Sequence, residues 1–160
     1  MPHKILIALD GSAGAWRAVE YVADVFGQTR GIQVTLLHVQ PGLPGEVWSC
    51  DRVLSEPHRE RLRTALAQWE RTQQERWQIL IRRAQRCLVQ AGVPKTAISE
   101  RFRRKDYRVA DTIAEEAERG HFTTIVMGRR ASNRATSQVL GSVSNRVIQA
   151  VRGCAVTIVD

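Results

Sequence analysis

The sequence of 160 residues lacks the features of membrane-spanning, secreted and zinc-binding proteins. No apolar run approaches the about 18 residues that a transmembrane helix needs, and the first residues lead directly into a predicted strand. We therefore expect neither a membrane span nor a secretory signal. The three cysteines, Cys50, Cys87 and Cys154, are odd in number and widely spaced. This arrangement favours reduced thiols in the cytoplasm over a disulfide framework or a zinc site.

Acidic residues are also scarce, since 16 Asp and Glu face 24 Lys and Arg, for a net charge of +8. The excess concentrates in residues 52–86 and 101–108. Positive potential attracts nucleotides, nucleic acids and anionic surfaces alike, so charge alone names no partner. We find neither aromatic residues interleaved with basic ones on a predicted sheet nor a recognition helix. Nucleic acid is therefore not the expected partner.

Short apolar segments alternate with segments of helical periodicity along the whole chain. Four nearly continuous apolar runs are typical of strands buried on both faces of a parallel sheet, and a fifth, weakly alternating segment predicts an edge strand. The predicted strands are 5–9, 34–39, 98–103, 124–127 and 155–159, and the predicted helices are 16–26, 59–91, 109–119 and 142–151. This order predicts a single α/β domain over 1–160, a three-layer sandwich with a mostly parallel five-stranded sheet.

The predicted helix 59–91 is the longest element, and it follows a loop at 41–57 that is rich in Pro and Gly. Trp69 and Trp77 lie on its apolar stripe, which predicts that they pack against the rest of the protein. Its other faces carry Arg, Glu and Gln and are interpreted as solvated. His38 lies within an apolar strand and is interpreted as a packed histidine rather than a base or a ligand.

The segment from Gly128 to Ser142 has the layout of a phosphate-binding site. A buried strand precedes Gly128, and Gly141 and Ser142 open the following helix. Unpaired N–H groups and the positive end of the helix dipole favour an anion there, and glycine allows close backbone approach. Asp10, Val39 and Gly128 all follow strands, so they should meet at the carboxyl edge of the sheet, where ligands bind in such folds.

Structural explanations remain open for the same residues. Asp10 or Ser12 is suited to cap the first helix, and Gly141-Ser142 also fits a tight turn into a helix. Three arginines of the glycine loop are placed to screen phosphate charge, although a solvated loop face explains each of them equally well; they are Arg129, Arg130 and Arg134.

Four segments together resemble the universal stress protein family. They are the opening strand and acidic turn at 4–12, the second strand at 36–39, the glycine loop and helix at 125–128 and 140–147, and the closing strand at 153–159. The glycine loop is similar to the family pattern Gly-x-x-Gly, nine residues, Gly-Ser/Thr, except that Ala131 replaces the second glycine. The resemblance runs nearly end to end.

The resemblance implies a flavodoxin-like or Rossmann-like domain of the adenine-nucleotide-binding type, acting in stress tolerance and binding ATP with Mg²⁺. By resemblance, Ala8 and Asp10 would lie near adenosine, with Asp10 reaching ribose hydroxyls or a nucleotide-bound Mg²⁺, and the Val39 backbone would contact adenine. The residues implied around the phosphates are Gly128, Arg130, Ala131, Gly141, Ser142, Val143 and Ser144. The family also implies a homodimer formed through strand 155–159, and a bare apolar edge there would otherwise need cover.

Ala131 leaves two functions open. At positive φ, alanine costs about 1 kcal/mol relative to glycine, and its methyl occupies the space of a phosphate. At negative φ, it is harmless. The first function is a cytoplasmic ATP-binding regulatory switch in which ATP orders loops 41–57 and 129–140. The second is a nucleotide-free dimeric interaction module whose crevice Ala131 closes. Motifs of adenylating enzymes and a nucleophile–base pair are not recognisable, so an enzyme is not expected, although slow ATP hydrolysis stays open.

Overall fold

A computed structural model describes residues 3–40, 42, 55–104, 108–129 and 141–160. Five strands and four α-helices alternate in these ranges, with one short 3₁₀ turn at Lys95–Ala97. In chain order they are β1 (His3–Ala8), α1 (Ala13–Phe26), β2 (Ile32–Gln40), α2 (Glu56–Gln90), β3 (Ile98–Arg104), α3 (Val109–Arg119), β4 (Thr124–Gly128), α4 (Ser142–Ala150) and β5 (Ala155–Val159).

The strands form one sheet in the order β3-β2-β1-β4-β5, and every pairing is parallel. Ile7 of β1 lies opposite Leu36 on one side and Val126 on the other, so β1 is the central strand. The chain builds outward from β1 to β3 and then returns to add β4 and β5. The order therefore reverses between β1 and β4, and the parallel α/β prediction is confirmed.

Helices cover both faces of the sheet, because successive side chains of each strand point to opposite faces. Ile5 and Ile7 pack with α1 and α2, whereas Leu6 packs with α3 and α4. The three-layer arrangement is thus the consequence of strands that are apolar on both faces.

Helix α2 begins at Glu56, three residues before the predicted start. Pro57 lies in its first turn, where a missing N–H costs nothing because no intrahelical acceptor is available. Its buried residues begin only at Trp77, which confirms the packing of that residue, whereas Trp69 is half-buried. Despite the length of α2, none of the described helices is long and apolar enough to cross a membrane.

Strand β3 is an edge strand, as predicted, and its exposed side chains are mostly charged. Arg101 and Arg103 extend to Glu116 of α3, with Nε–Oε distances of 3.2 and 2.8 Å. Glu116 is only 4% exposed, so its carboxylate depends on these two cations. The charges also discourage pairing of this edge with another strand.

Candidate functional site

A crevice opens at the carboxyl ends of β1, β2 and β4, beside the first turn of α4. It lies at the reversal of strand order, where ligands bind in parallel α/β sheets. Six predicted site residues line it: Ala8, Asp10, Val39, Gly128, Val143 and Ser144. The other lining residues are Leu9, Ser12, Ala15, Leu37, Val109, Ile113 and Met127.

The turn from β1 into α1 forms one lip of the crevice. The Asp10 carboxylate accepts a hydrogen bond from the Ser12 N–H at 3.0 Å, and Gly11 adopts a φ of +80° between them. Ser12 Oγ in turn accepts from the Ala15 N–H at 3.1 Å and caps α1. Of the two candidate caps, Ser12 is therefore the cap, and Asp10 holds the turn while remaining exposed at the mouth of the crevice.

Gly128 ends β4 directly against the first turn of α1. A methyl group on Gly128 would overlap the carbonyl group of Gly14, and one on Gly14 would lie 2.5 Å from the Arg129 carbonyl oxygen. Backbone thus packs on backbone, which only glycine permits on both sides. This close approach sets the position of the α1 N-terminus relative to β4, independently of any ligand.

Arg129 is engaged at the far side of β4. Its N–H donates to the Val159 carbonyl at 2.7 Å, and its guanidinium lies 3.0 Å from an Asp160 carboxylate oxygen. These contacts tie the end of β4 to the end of β5. Arg130, Ala131 and Arg134 lie outside the described residues.

The first turn of α4 presents donors to the crevice. Gly141 is the N-cap residue and has no side chain to accept from the backbone, and the Asn145 N–H makes the first intrahelical bond, to the Gly141 carbonyl at 3.0 Å. The N–H groups of the three residues between them precede the helical hydrogen bonds. Ser142 is exposed and borders a neighbouring groove with Val143.

Ser144 is the buried polar residue of this turn. It is 2% exposed and lines the crevice, yet its hydroxyl makes no hydrogen bond with any residue in the described ranges. Of the described side-chain atoms, only Arg17 Nε is fully buried without a partner, so the Ser144 oxygen is accessible from the crevice. A hydrogen-bonding ligand in the crevice would satisfy Ser144.

The walls of the crevice are apolar and come partly from α3. Val109 and Ile113 line the crevice together with Val39 and Met127, around a partly open space of about 50 Å³. The two α3 residues were not predicted as site residues. The helical pattern places Ile113 inward, but only the strand order shows that α3 crosses the crevice rather than another part of the sheet.

His38 lies at the same edge of the sheet as the crevice, but on the opposite face, which α2 covers. Its ring stacks on Trp77 with centroids 4.9 Å apart, and Nδ1 is 2.8 Å from the Leu9 carbonyl oxygen. The interpretation as a packed histidine fits these contacts.

The described cysteines are not activated nucleophiles. Burial raises the pKa of the Cys87 thiol, and the carboxylates of Glu20 and Asp24 raise it further. Burial also raises the pKa of Cys154. Within the described ranges, no group of His, Cys, Asp and Glu side chains is able to hold a metal ion, so Asp10 would need ligand oxygens from a bound molecule to do so.

Comparison with known proteins places these features in context. The model of the universal stress protein family matches residues 1–160. The hypothetical protein MJ0577 is 21% identical, with a TM-score of 0.75 over 99% of this chain and 96% of that chain.

Two structures with bound nucleotides have the same fold. A universal stress protein family protein from Arabidopsis thaliana with AMP bound is 20% identical, with a TM-score of 0.62 over 99% of this chain and 91% of that chain. The universal stress protein from Archaeoglobus fulgidus in complex with dAMP is 19% identical, with a TM-score of 0.57 over 100% of this chain and 98% of that chain. No protein with a curated description is significantly similar in sequence.

Proposed function

Because this chain belongs to the universal stress protein family, we propose that it is a cytoplasmic stress-response regulator that binds ATP with Mg²⁺ in the crevice. The nucleotide would act as a switching ligand rather than as the substrate of an enzyme. The observation that carries this proposal is Ser144, a buried residue in the first turn of α4 whose side chain lines the crevice.

The first turn of α4 suits the phosphate groups. Its free N–H groups and the positive end of its dipole favour an anion, and the Ser144 hydroxyl supplies one further donor. Gly141, Ser142 and Val143 contribute backbone rather than side chains. The family pattern gives Arg130 and Ala131 the same surroundings, in the part of the loop outside the described residues.

The apolar walls suit the adenine ring. Val39, Ile113 and Met127 offer a surface for a planar base, beside Ala8 of β1. Asp10, at the mouth, is suited to ribose hydroxyls or to a Mg²⁺ ion that the phosphates carry. The Arabidopsis and Archaeoglobus proteins, with AMP and dAMP, support an adenine nucleotide as the ligand class.

The size of the crevice supports the proposed switching role. Its partly open space of about 50 Å³ is small beside the about 300–1,000 Å³ of typical ligand sites. A nucleotide would therefore separate the walls, so the liganded and free states would differ in the positions of α3 and α4. A ligand that prefers one of two states shifts their populations and hence the contacts that each state makes.

The same small space favours a second function, a nucleotide-free dimeric interaction module. Ala131, in place of the family glycine, points the same way. In this alternative the crevice is closed and binds no nucleotide, and the protein acts only by binding other proteins at its surface.

Nucleotide analysis of the purified protein tests the proposal first. Near-stoichiometric ATP or ADP, released on denaturation and identified by mass spectrometry, would establish the site. An empty protein would be titrated with Mg-ATP, alongside Ala131→Gly. Binding only by Ala131→Gly would establish the second function, and binding by neither protein at millimolar ATP would end the nucleotide proposal.

Two serine variants test the residue that carries the proposal. Ser144→Ala should weaken ATP binding about tenfold or more, because a hydrogen bond to a charged group is lost, and should leave stability nearly unchanged. Ser99→Ala is the matched control, since Ser99 bonds Thr35 at 2.8 Å on β3. The control variant Ser99→Ala should lower the free energy of unfolding slightly and leave the affinity for ATP unchanged. Equal affinity of Ser144→Ala and wild type would contradict the assigned role.

We also propose a homodimer through β5. This strand is at the edge of the sheet, pairs with β4 on one side, and has apolar side chains that are only half-buried. A second copy would complete its backbone hydrogen bonds. Sedimentation should show a dimer at tens of micromolar protein, whereas a species of 18.0 kDa would refute this interface.

A further inference from the structure

A second cavity, of about 400 Å³, lies on the α2 side of the sheet. We call it the α2 cavity. It opens between α2 and the carboxyl ends of β1 and β2, and it shares only Asp10 with the crevice. Its volume is within the range of small-molecule sites.

The floor of the α2 cavity is rigid. The rings of His38, Trp77 and Phe102 form a triangular cluster, with centroids 4.9 Å apart for His38 and Trp77, 5.6 Å for His38 and Phe102, and 6.5 Å for Trp77 and Phe102. Because the Leu9 carbonyl can only accept, His38 Nδ1 carries the proton of their 2.8 Å hydrogen bond, and Nε2 is the nitrogen left for other contacts.

Trp77 also supplies a hydrogen-bond donor to this floor. It is 4% exposed, and its indole N–H makes no hydrogen bond with any described part of the chain. Because Arg17 Nε is the only described side-chain atom that is fully buried without a partner, the Trp77 N–H keeps accessible surface and is available to an acceptor in the cavity that Trp77 borders.

Two arginines line the wall on α2. Arg76 and Arg83 lie two helical turns apart on one side of the helix. The Arg83 guanidinium carbon lies 3.9 Å from the centroid of the Trp16 ring, which is itself held by a 2.7 Å hydrogen bond to Glu20. Among the residues that the structure describes, neither arginine forms an ion pair, unlike Arg104 of β3, which pairs with Glu70 of α2. The two guanidinium groups are thus not held by a described ion pair, although the Asp10 carboxylate lines the same cavity.

We propose that the α2 cavity binds a small molecule through a phosphate or carboxylate group held between Arg76 and Arg83. Guanidinium groups bind such oxyanions with paired hydrogen bonds, and the Trp77 N–H and the Gln73 amide supply further donors. This site does not depend on a nucleotide in the crevice.

Indole N–H resonances of ¹⁵N-labelled protein provide the test. The protein is titrated with inorganic phosphate and, separately, with benzoate at constant ionic strength, and the Trp77 signal is assigned through Trp77→Phe. We expect a saturable shift of the Trp77 signal with at least one probe and no shift of the Trp69 signal. Saturation by phosphate alone identifies a phosphate site, and saturation by benzoate alone identifies a carboxylate site.

Paired charge variants separate a site from diffuse attraction. Arg76→Gln with Arg83→Gln should raise the dissociation constant about tenfold or more, because the paired hydrogen bonds are lost. Arg76→Gln alone, which keeps the Arg83–Trp16 contact, should also weaken binding. The control, Arg61→Gln with Arg71→Gln, makes the same charge change at exposed positions of α2 and should alter binding less than about twofold.

Three results would overturn the proposal: no saturable Trp77 shift with either probe, equal weakening by both double variants, or phosphate shifts confined to the amides of residues 142–144. The last result would place the anion at α4. It would leave the nucleotide proposal intact while removing the α2 cavity, so the two proposals fail separately.

Discussion

Gly128→Ala should destabilise the protein strongly, because the added methyl has no room. It would overlap the Gly14 carbonyl group and lie 2.5 Å from the Ala15 nitrogen, and these are backbone atoms that no side-chain rotation can clear. The first turn of α1 must therefore move away from β4. That movement also strains the bond from the Ala15 N–H to Ser12 Oγ.

The expected loss is about 3 kcal/mol. Overpacking of a tight contact costs about 1–3 kcal/mol, and a weakened N-cap adds about 0.5–2 kcal/mol. For a chain of this size, each kcal/mol lowers Tm by about 2–4 °C, so Tm should fall by about 6–12 °C. Urea denaturation followed by circular dichroism should show a lower midpoint at an unchanged m-value.

Gly31→Ala is the matched control for this experiment. Gly31 has a φ of +75°, and a methyl there would contact nothing within 4 Å. Its cost is therefore conformational, about 1 kcal/mol, and both variants gain equally from the stiffer unfolded chain. If Gly128→Ala destabilises no more than Gly31→Ala, the backbone contact between α1 and β4 is not the constraint described above.

Two further perturbations test the electrostatics. Replacing Arg101 and Arg103 together with alanine should lower the free energy of unfolding by about 2–3 kcal/mol, less than for a fully buried pair because both arginines are partly exposed. The further substitution Glu116→Gln removes the unpaired charge and should restore part of the lost free energy of unfolding. If urea denaturation shows no such recovery, a buried unpaired carboxylate is not the cause of the loss. The raised pKa values of Cys87 and Cys154 reduce their thiolate fractions near neutral pH. Iodoacetamide should therefore alkylate both cysteines more slowly in the folded protein than in urea at the same pH, and the rate should increase as the pH rises through the ordinary thiol range. Alkylation is followed by peptide mass spectrometry. Faster alkylation of the folded protein than of the protein in urea would contradict this explanation.

Local sequence patterns were sufficient for the layers and the sheet. The run Ile5-Leu6-Ile7 has no polar residue, which only a strand covered on both faces tolerates, and the structure covers it on both faces. The family resemblance named the crevice residues, of which Ala8, Asp10 and Val39 line the crevice together.

Features set by distant contacts could not be predicted. Which half of α2 packs against the sheet depends on where the helix crosses β2. The crossing point is where Trp77 of α2 stacks on His38 of β2. The α2 cavity depends on the same contact. The early start of α2 was missed because Pro57 indicates a loop equally well, and proline is compatible with a first helical turn.

The central position of β1 has a consequence during synthesis of the chain. One side of β1 pairs with β2 soon after it emerges, but the other side waits for β4, about 120 residues later. At about 5–20 residues per second, this edge, which includes Leu6 and Ile7, stays open for about 6–24 s. A nascent chain that has completed only β1, β2 and β3 therefore exposes an apolar strand edge, the feature that binds chaperones or other unfinished chains.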